Sequence, residues 1–395
     1  MLVLAAACFI GFLSFGIRGV FGFFLEPMTV TRGWSRETFA IAMAIQNLMW
    51  GIATPFAGAL ADRFGQTWVL GTGAIIYCAG LAAMANVTSG TMLYLAGGLL
   101  VGLGVGFTSF SLAMSAIAKV VGPERRSLAL GLGASSGSLG QVVFSPLSLA
   151  LIETYQWQSA LIILACIALS ILPLALILPK GNAASAAAAQ VEQSLSQAMH
   201  EAFAHRGYLL LLAGFFVCGF HVAFIAVHFP AYVQDIGLAA SVGAYTLAIV
   251  GLVNIPGAFL AGAVGQKFSK KSTLAVIYFL RGIWIIGLIS VPQTAVTMYI
   301  FGALLGLLWL ATVPLTTGIV AQVFGVRYMA TLTGFVIMTH QMGSFCGVWL
   351  GGWAFDHTGS YDLVWLCGIV LAFAAAILHW PINEQPVARL AQATG

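Results

Sequence analysis

Apolar runs of roughly twenty residues recur along this chain from end to end, each closed by a short turn that carries one or a few charges. That length suits an α-helix crossing the ~30 Å hydrocarbon of a bilayer, whereas strands of a membrane barrel would alternate over ~10 residues. Charged residues are 7% of 395 and hydrophobic residues 61%, against about 25% charged in soluble domains, so most of the chain cannot face water. An integral membrane protein built of helices follows, and a barrel is excluded.

Twelve spans are predicted. The first six are Met1 to Leu25, Phe39 to Leu60, Trp68 to Val87, Met92 to Ile117, Ser127 to Ile152 and Trp157 to Leu178. The second six are Tyr208 to Val233, Val242 to Val264, Ser272 to Ile289, Ala295 to Val320, Ala330 to Phe355 and Tyr361 to Leu378. Met1 leads into its run without a basic region, so this stretch reads as a retained span rather than a cleaved leader. Between the sets, Ala, Ser, Gln and Glu dominate, polar enough to leave the bilayer. The expected division is residues 1–178 and 208–380 as two helical bundles, 179–207 as a linker and 381–395 as a tail.

Lys and Arg resist translocation, so their distribution sets the orientation. With the N-terminus inside, Arg63, Lys119, Arg125, Arg126, Lys180, Arg206, Lys267, Lys270, Lys271, Arg327 and Arg389 are cytoplasmic, eleven of fifteen. Both termini are therefore expected on the cytoplasmic side of a cell inner membrane. The net charge of +4 is too small and dispersed for a nucleic-acid partner. Six cysteines lie in apolar segments without paired spacing, so neither disulfides nor a metal site is expected, and no cofactor.

The halves repeat. Gly58-Ala-Leu-Ala-Asp62-Arg63-Phe64-Gly65 follows the second span, and Gly262-Ala-Val-Gly-Gln266-Lys267-Phe268 follows the eighth, an offset of 204 residues. A duplicated six-helix unit puts a substrate site near the midplane between halves, which favours a transporter over a membrane enzyme or sensor. No catalytic constellation or appended soluble domain speaks for those classes.

The Gly58 to Gly65 loop, twelve spans in two sixes and a central linker together resemble the major facilitator superfamily across the whole chain. Ser14 to Glu26 with Gly33-Trp-Ser35, Glu124 to Gly131, and Gly351 to Tyr361 are similar to the monocarboxylate porter and oxalate/formate antiporter group. The resemblance implies alternating access by two pseudo-symmetric bundles, and it places on Arg18 that group's first-helix basic position, associated with substrate or proton handling. Two positions depart from it: Gln66 and Thr67 replace a second basic residue after Gly65, and Ala258, four residues after Asn254, stands where the eighth helix commonly carries an arginine.

Arg18 lies within the first span, where a cation costs at least ~2.5 kcal/mol unless water, a partner or a ligand meets it. It is a candidate carboxylate clamp, or else a structural arginine bonded to carbonyls or snorkelling toward Glu26. His221, 203 positions on, is its repeat equivalent and is expected to face it across a cavity. His340 and Gln341 lie near mid-depth of the eleventh span. The eleven acidic residues all fall at span ends, loops, linker or tail, leaving His221 and His340 as candidates for proton coupling. Asn254, Gln46 and Asn47 are candidate cavity groups or interhelical bonds. Arg281, in the peripheral ninth span, reads more as a packing element than as a ligand contact. Gly58, Asp62, Arg63 and Gly65 form a candidate latch that holds the outward-facing state.

The function expected is secondary transport of a small organic anion, a monocarboxylate first, by a monomer in the lipid bilayer, with protons as candidate coupling ions. An exporter of uncharged or drug-like molecules is the alternative, favoured by Ala258.

Overall fold

The protein is described by a computed structural model covering residues 2–109, 112, 123–178, 193–325 and 327–393. Among these, ten stretches are long and apolar enough to cross a membrane. Ser135–Ala175 holds two spans, because Gln156 takes a φ of 66° and folds the chain back on itself. The 30-residue helix Met329–Thr358 adds another; Thr339, His340 and Gln341 at its middle make it less apolar than its neighbours. Twelve spans result, in two six-helix bundles, as expected.

The first span packs on the fifth, the tenth on the eighth, and the ninth on the twelfth. Contact between bundles runs mainly along two seams, second span against eleventh and fifth against eighth. Small residues make these seams possible, since apolar helices in lipid associate by close packing rather than by hydrophobic burial. At Gly352 an added Cβ would sit 2.8 Å from the Glu37 backbone, and at Gly251 2.9 Å from the Ser138 carbonyl oxygen.

Three spans are irregular in ways their apolar runs conceal. The first is two helices, Leu2–Arg18 and Gly22–Arg32, and so ends well beyond the expected Leu25. Gly19 sits at the break, and Gly22 lets the seventh span approach so closely that a Cβ there would be 2.7 Å from the Val227 carbonyl oxygen. The fourth span widens into a π-helix over Tyr94–Leu100, and the tenth breaks between Ala295–Leu308 and Thr312–Phe324.

Irregular backbone inside hydrocarbon needs partners within the protein. Gln46 donates to the Gly97 carbonyl in the widened segment at 2.9 Å. Arg281, 1% exposed, donates to the carbonyls of Leu308 and Trp309 at 2.6 and 2.7 Å, and Asn254 accepts from the Leu310 amide at 2.9 Å. Gln46, Arg281 and one side of Asn254 thus hold helix breaks together.

One end of the molecule carries the tail and linker. Ser194 caps the linker helix Leu195–Ala204 with a reciprocal capping box, and Arg389 reaches both Glu201 and the Phe324 carbonyl at 3.5 and 3.2 Å. This is called the termini end below, and the opposite one the Arg36 end.

Candidate functional site

At the Arg36 end the bundles are fastened by charge. Gly33 closes the helix before it with a φ of 66°, and Ser35 caps the second span by accepting from the Thr38 amide. That turn delivers Arg36 to the seam, where its guanidinium forks onto Asp235 of the seventh span at 2.5 and 2.7 Å. It also donates to the Tyr361 hydroxyl at 2.9 Å and lies 3.7 Å from the centre of the Phe355 ring. Asp356, near the end of the eleventh span, accepts from the backbone amides of Arg36 and Glu37 at 3.0 and 2.6 Å. A carboxylate from one bundle therefore caps a helix N-terminus of the other, where dipole and free amides favour an anion. Trp349 adds a bond to Glu37 at 3.1 Å.

From the sequence, Gly33 to Ser35 and Gly351 to Tyr361 stood out only as stretches that carry the resemblance. Pairing Arg36 with Asp235, 199 residues apart, needs the fold. The acidic residues at matching span ends were its only signal.

Below this gate, toward the termini end, lies a cavity of about 420 Å³ between the bundles. Its wall is largely apolar and aromatic, with Phe15, Trp50, Phe215, Phe259, Leu310 and Ile337 prominent. The polar wall groups include Asn254, Ser138, His340 and Gln341. Further toward the termini end the helices separate: a Cβ at Gly58 or at Gly334 would meet nothing within 4 Å.

Arg18 ends its helix at the edge of this cavity. One Nη donates to Asn47 Oδ1 at 2.8 Å, and the guanidinium lies 4.2 Å from the Trp50 ring centre and 5.6 Å from that of Phe15. Both rings line the cavity. Asn47 is itself oriented by donating to the Met43 carbonyl at 2.8 Å. Neither ion pair found among the described residues involves Arg18. Among the described residues Arg18 is thus held by an amide and two aromatic faces, with no ion-pair partner.

His340 and Gln341 face the cavity from the eleventh span. His340 Nδ1 lies 3.5 Å from the Ser344 hydroxyl, and its ring rests on Phe215 with centres 5.1 Å apart. Gln341 is 1% exposed, and neither amide atom has a hydrogen-bond partner. Asn254, by contrast, is fully engaged, donating to Ser138 at 2.7 Å across the seam while accepting from Leu310.

His221 does not face Arg18. The structure turns it away from the cavity against the twelfth span, where Nε2 is 2.8 Å from the Gly368 carbonyl oxygen. An offset between halves matches depth along two helices, not the direction in which each side chain leaves its own helix. Arg281 likewise lies behind the wall. Glu26 departs from the expectation that carboxylates avoid spans: it falls inside the helix Gly22–Arg32, with one buried oxygen lacking a partner.

In the latch loop, Gly65 takes a φ of 91° and its amide bonds the Ala61 carbonyl oxygen at 3.0 Å. Arg63 lies against Phe64, 5.1 Å from the ring centre. Gly58, expected to bring helices together, is open in this conformation. The Asp62 side chain lies outside the described residues.

Twelve spans in paired bundles around a central cavity define a membrane transporter rather than an enzyme. The model of the Major Facilitator Superfamily matches residues 7–345, and the chain belongs to that family. It is 26% identical to monocarboxylate transporter 13 of Rattus norvegicus over 91% of this chain and 83% of that protein. It is also 26% identical to monocarboxylate transporter 11 of Homo sapiens, over 95% and 82%, and to an uncharacterized MFS-type transporter, YcxA, of Bacillus subtilis over 94% and 91%. Among solved structures, a D-xylose-proton symporter aligns with a TM-score of 0.76 at 13% identity, covering 98% of this chain and 99% of that one. A bacterial homologue of the human lysosomal transporter Spinster, in an inward-facing and occupied conformation, aligns at 0.73 and 15% identity, covering 96% and 95%. These two share the fold.

Proposed function

We propose that the protein carries a small organic anion, a monocarboxylate first, across a cell inner membrane by alternating access, with residues 1–178 and 208–380 as the moving halves. The observation that carries this is Arg18, a cation at the cavity's edge against the Phe15 and Trp50 rings that line it, bonded to Asn47 and without an ion-pair partner among the described residues. The relatives named as monocarboxylate transporters support it. The termini end is taken as cytoplasmic, since Arg63, Lys267, Lys270, Lys271 and Arg389 gather there. On that assignment the structure corresponds to an inward-open state, with the Arg36 gate shut.

A single chain holds the whole cavity, so the working unit is a monomer. His340, on the wall, is the candidate for proton coupling. His221 is a weaker one, being held on Gly368.

Purified protein in liposomes, assayed for uptake of labelled monocarboxylates, tests the proposal. Arg18→Ala is expected to lower uptake at least a hundredfold, and undiminished uptake in that variant would refute the anion. An exporter of uncharged or drug-like molecules remains the second possibility, because Ala258 leaves the eighth-span wall without a cation and the surrounding surface is apolar. Normal drug susceptibility after deletion would remove it.

A further inference from the structure

We propose that Gln341 is a specificity-determining residue, and that the cargo is an amphipathic acid with a bulky apolar body and a second hydrogen-bonding group, a hydroxyl, oxo or amide, which the Gln341 amide binds. This rests on the anion reading for the acid group only.

The spans bury other unpaired polar atoms, Tyr77, Ser148 and Thr316 among them, but of these described residues only Gln341 lines the cavity. Gln46, Asn254 and Arg281 satisfy broken helices, His221 is bonded to a carbonyl, and Thr54, another wall residue, donates to the Trp50 carbonyl oxygen at 2.8 Å. Gln341 offers both a donor and an acceptor at the cavity, and neither is engaged. Buried amides are normally satisfied, so an orphan amide on a ligand-sized cavity marks a contact that the ligand completes.

The position is also built rather than incidental. The Gln341 stem lies over Gly51, where a Cβ would be 2.8 Å from the Gln341 Cβ and Cγ. Any larger residue at position 51 would displace it. The adjacent Trp50 carries Arg18 on its ring. Consecutive residues of the second span therefore hold the cation and seat the amide on one turn of that helix. The rest of the wall, including Phe15, Phe215, Phe259 and Leu310, offers apolar and aromatic surface. A cavity of about 420 Å³ is far larger than an acid of two or three carbons requires.

The test uses the full chain in liposomes with four probes: 3-phenyllactate, 3-phenylpropanoate, lactate and phenyllactamide. Wild type is expected to transport 3-phenyllactate at least tenfold better, in kcat/KM, than 3-phenylpropanoate, which lacks the hydroxyl, and than lactate, which lacks the ring. In Gln341→Leu the preference over 3-phenylpropanoate is expected to fall below twofold while uptake of 3-phenylpropanoate itself persists, which also shows that the variant folds. Gln341→Met, matched in length, is expected to behave in the same way. An unchanged preference in both variants, or no uptake of any ring-bearing probe by wild type, overturns the proposal. Uptake of neutral phenyllactamide but of no acid, lost selectively in Gln341→Leu, would refute the anion reading and leave the Gln341 contact standing.

Discussion

Asp235→Asn is the sharpest perturbation of the proposed cycle, because it removes one charge from the Arg36 gate and nearly preserves shape. The two bonds from Arg36 to Asp235 become at most one, from the guanidinium to a neutral amide oxygen. Hydrogen bonds to charged partners contribute roughly 1.5–3 kcal/mol when shielded, and exposed ion pairs about 0.2–1 kcal/mol. With side-chain exposures of 13% and 27%, this pair lies between those limits, and about 1.5 kcal/mol is a fair value. At ~1.4 kcal/mol per factor of ten, the closed gate should lose about tenfold in population against the open one. Spin labels at exposed positions flanking the gate, read by pulsed electron resonance in liposomes, report the two populations directly. Asp235→Glu should recover most of the closed state, and raised salt should weaken the wild-type gate more than the mutant's. Identical distance distributions for wild type and Asp235→Asn would refute the reasoning and leave this cluster a passive surface contact.

Four further outcomes are expected. Asp62→Asn should shift the same distances toward the inward-open state and slow transport if Asp62 and Arg63 hold the outward-facing state; unchanged rate and populations would end that role. Arg281→Met should cost about 3 kcal/mol of stability, read as a lowered thermal midpoint, because the Leu308 and Trp309 carbonyls lose their donor inside the bundle; full stability in the variant would show that they find other partners. His340→Gln should abolish proton uptake accompanying substrate while leaving substrate binding within a few fold, and an unaltered pH profile in His340→Gln would remove His340 from coupling. Gly352→Leu, placed where a Cβ already meets the second-span backbone, should keep the Arg36 end from closing, read by the same spin labels.

The fold was legible in the sequence because span length, apolarity and the distribution of basic residues are local quantities that the bilayer converts into architecture. The breaks after Arg18 and around Leu310 were not legible, since both lie in apolar runs and a break changes no composition. The partners of the second break, Arg281 and Asn254, were read as a packing element and as a cavity group or interhelical bond, but the backbone they serve was not visible. His221 shows the limit of symmetry, because a repeat offset fixes depth along a helix but not the direction a side chain takes around it. Gln341 was marked from its depth alone. What distinguishes it is an amide unpaired at both atoms on the cavity wall, a combination no single sequence displays.

The second span joins the three working parts on one helix of 29 residues, about 43 Å at ~1.5 Å per residue. Arg36 begins it at the gate, Asn47 and Trp50 hold Arg18 about 16–21 Å along, and Arg63 ends it at the loop proposed as a latch. Between cavity and loop stands Pro55, which has no amide to give the Gly51 carbonyl and so weakens the helix at the turn that seats Gln341. A helix weakened there can carry the gate and the Arg18 shelf as one rigid piece while its far end swings with the latch. On this view Pro55 and the Gln341 amide seated on Gly51 place the joint of the second span at the cavity, so that filling the cavity and moving the loop are coupled through one point rather than along the whole bundle.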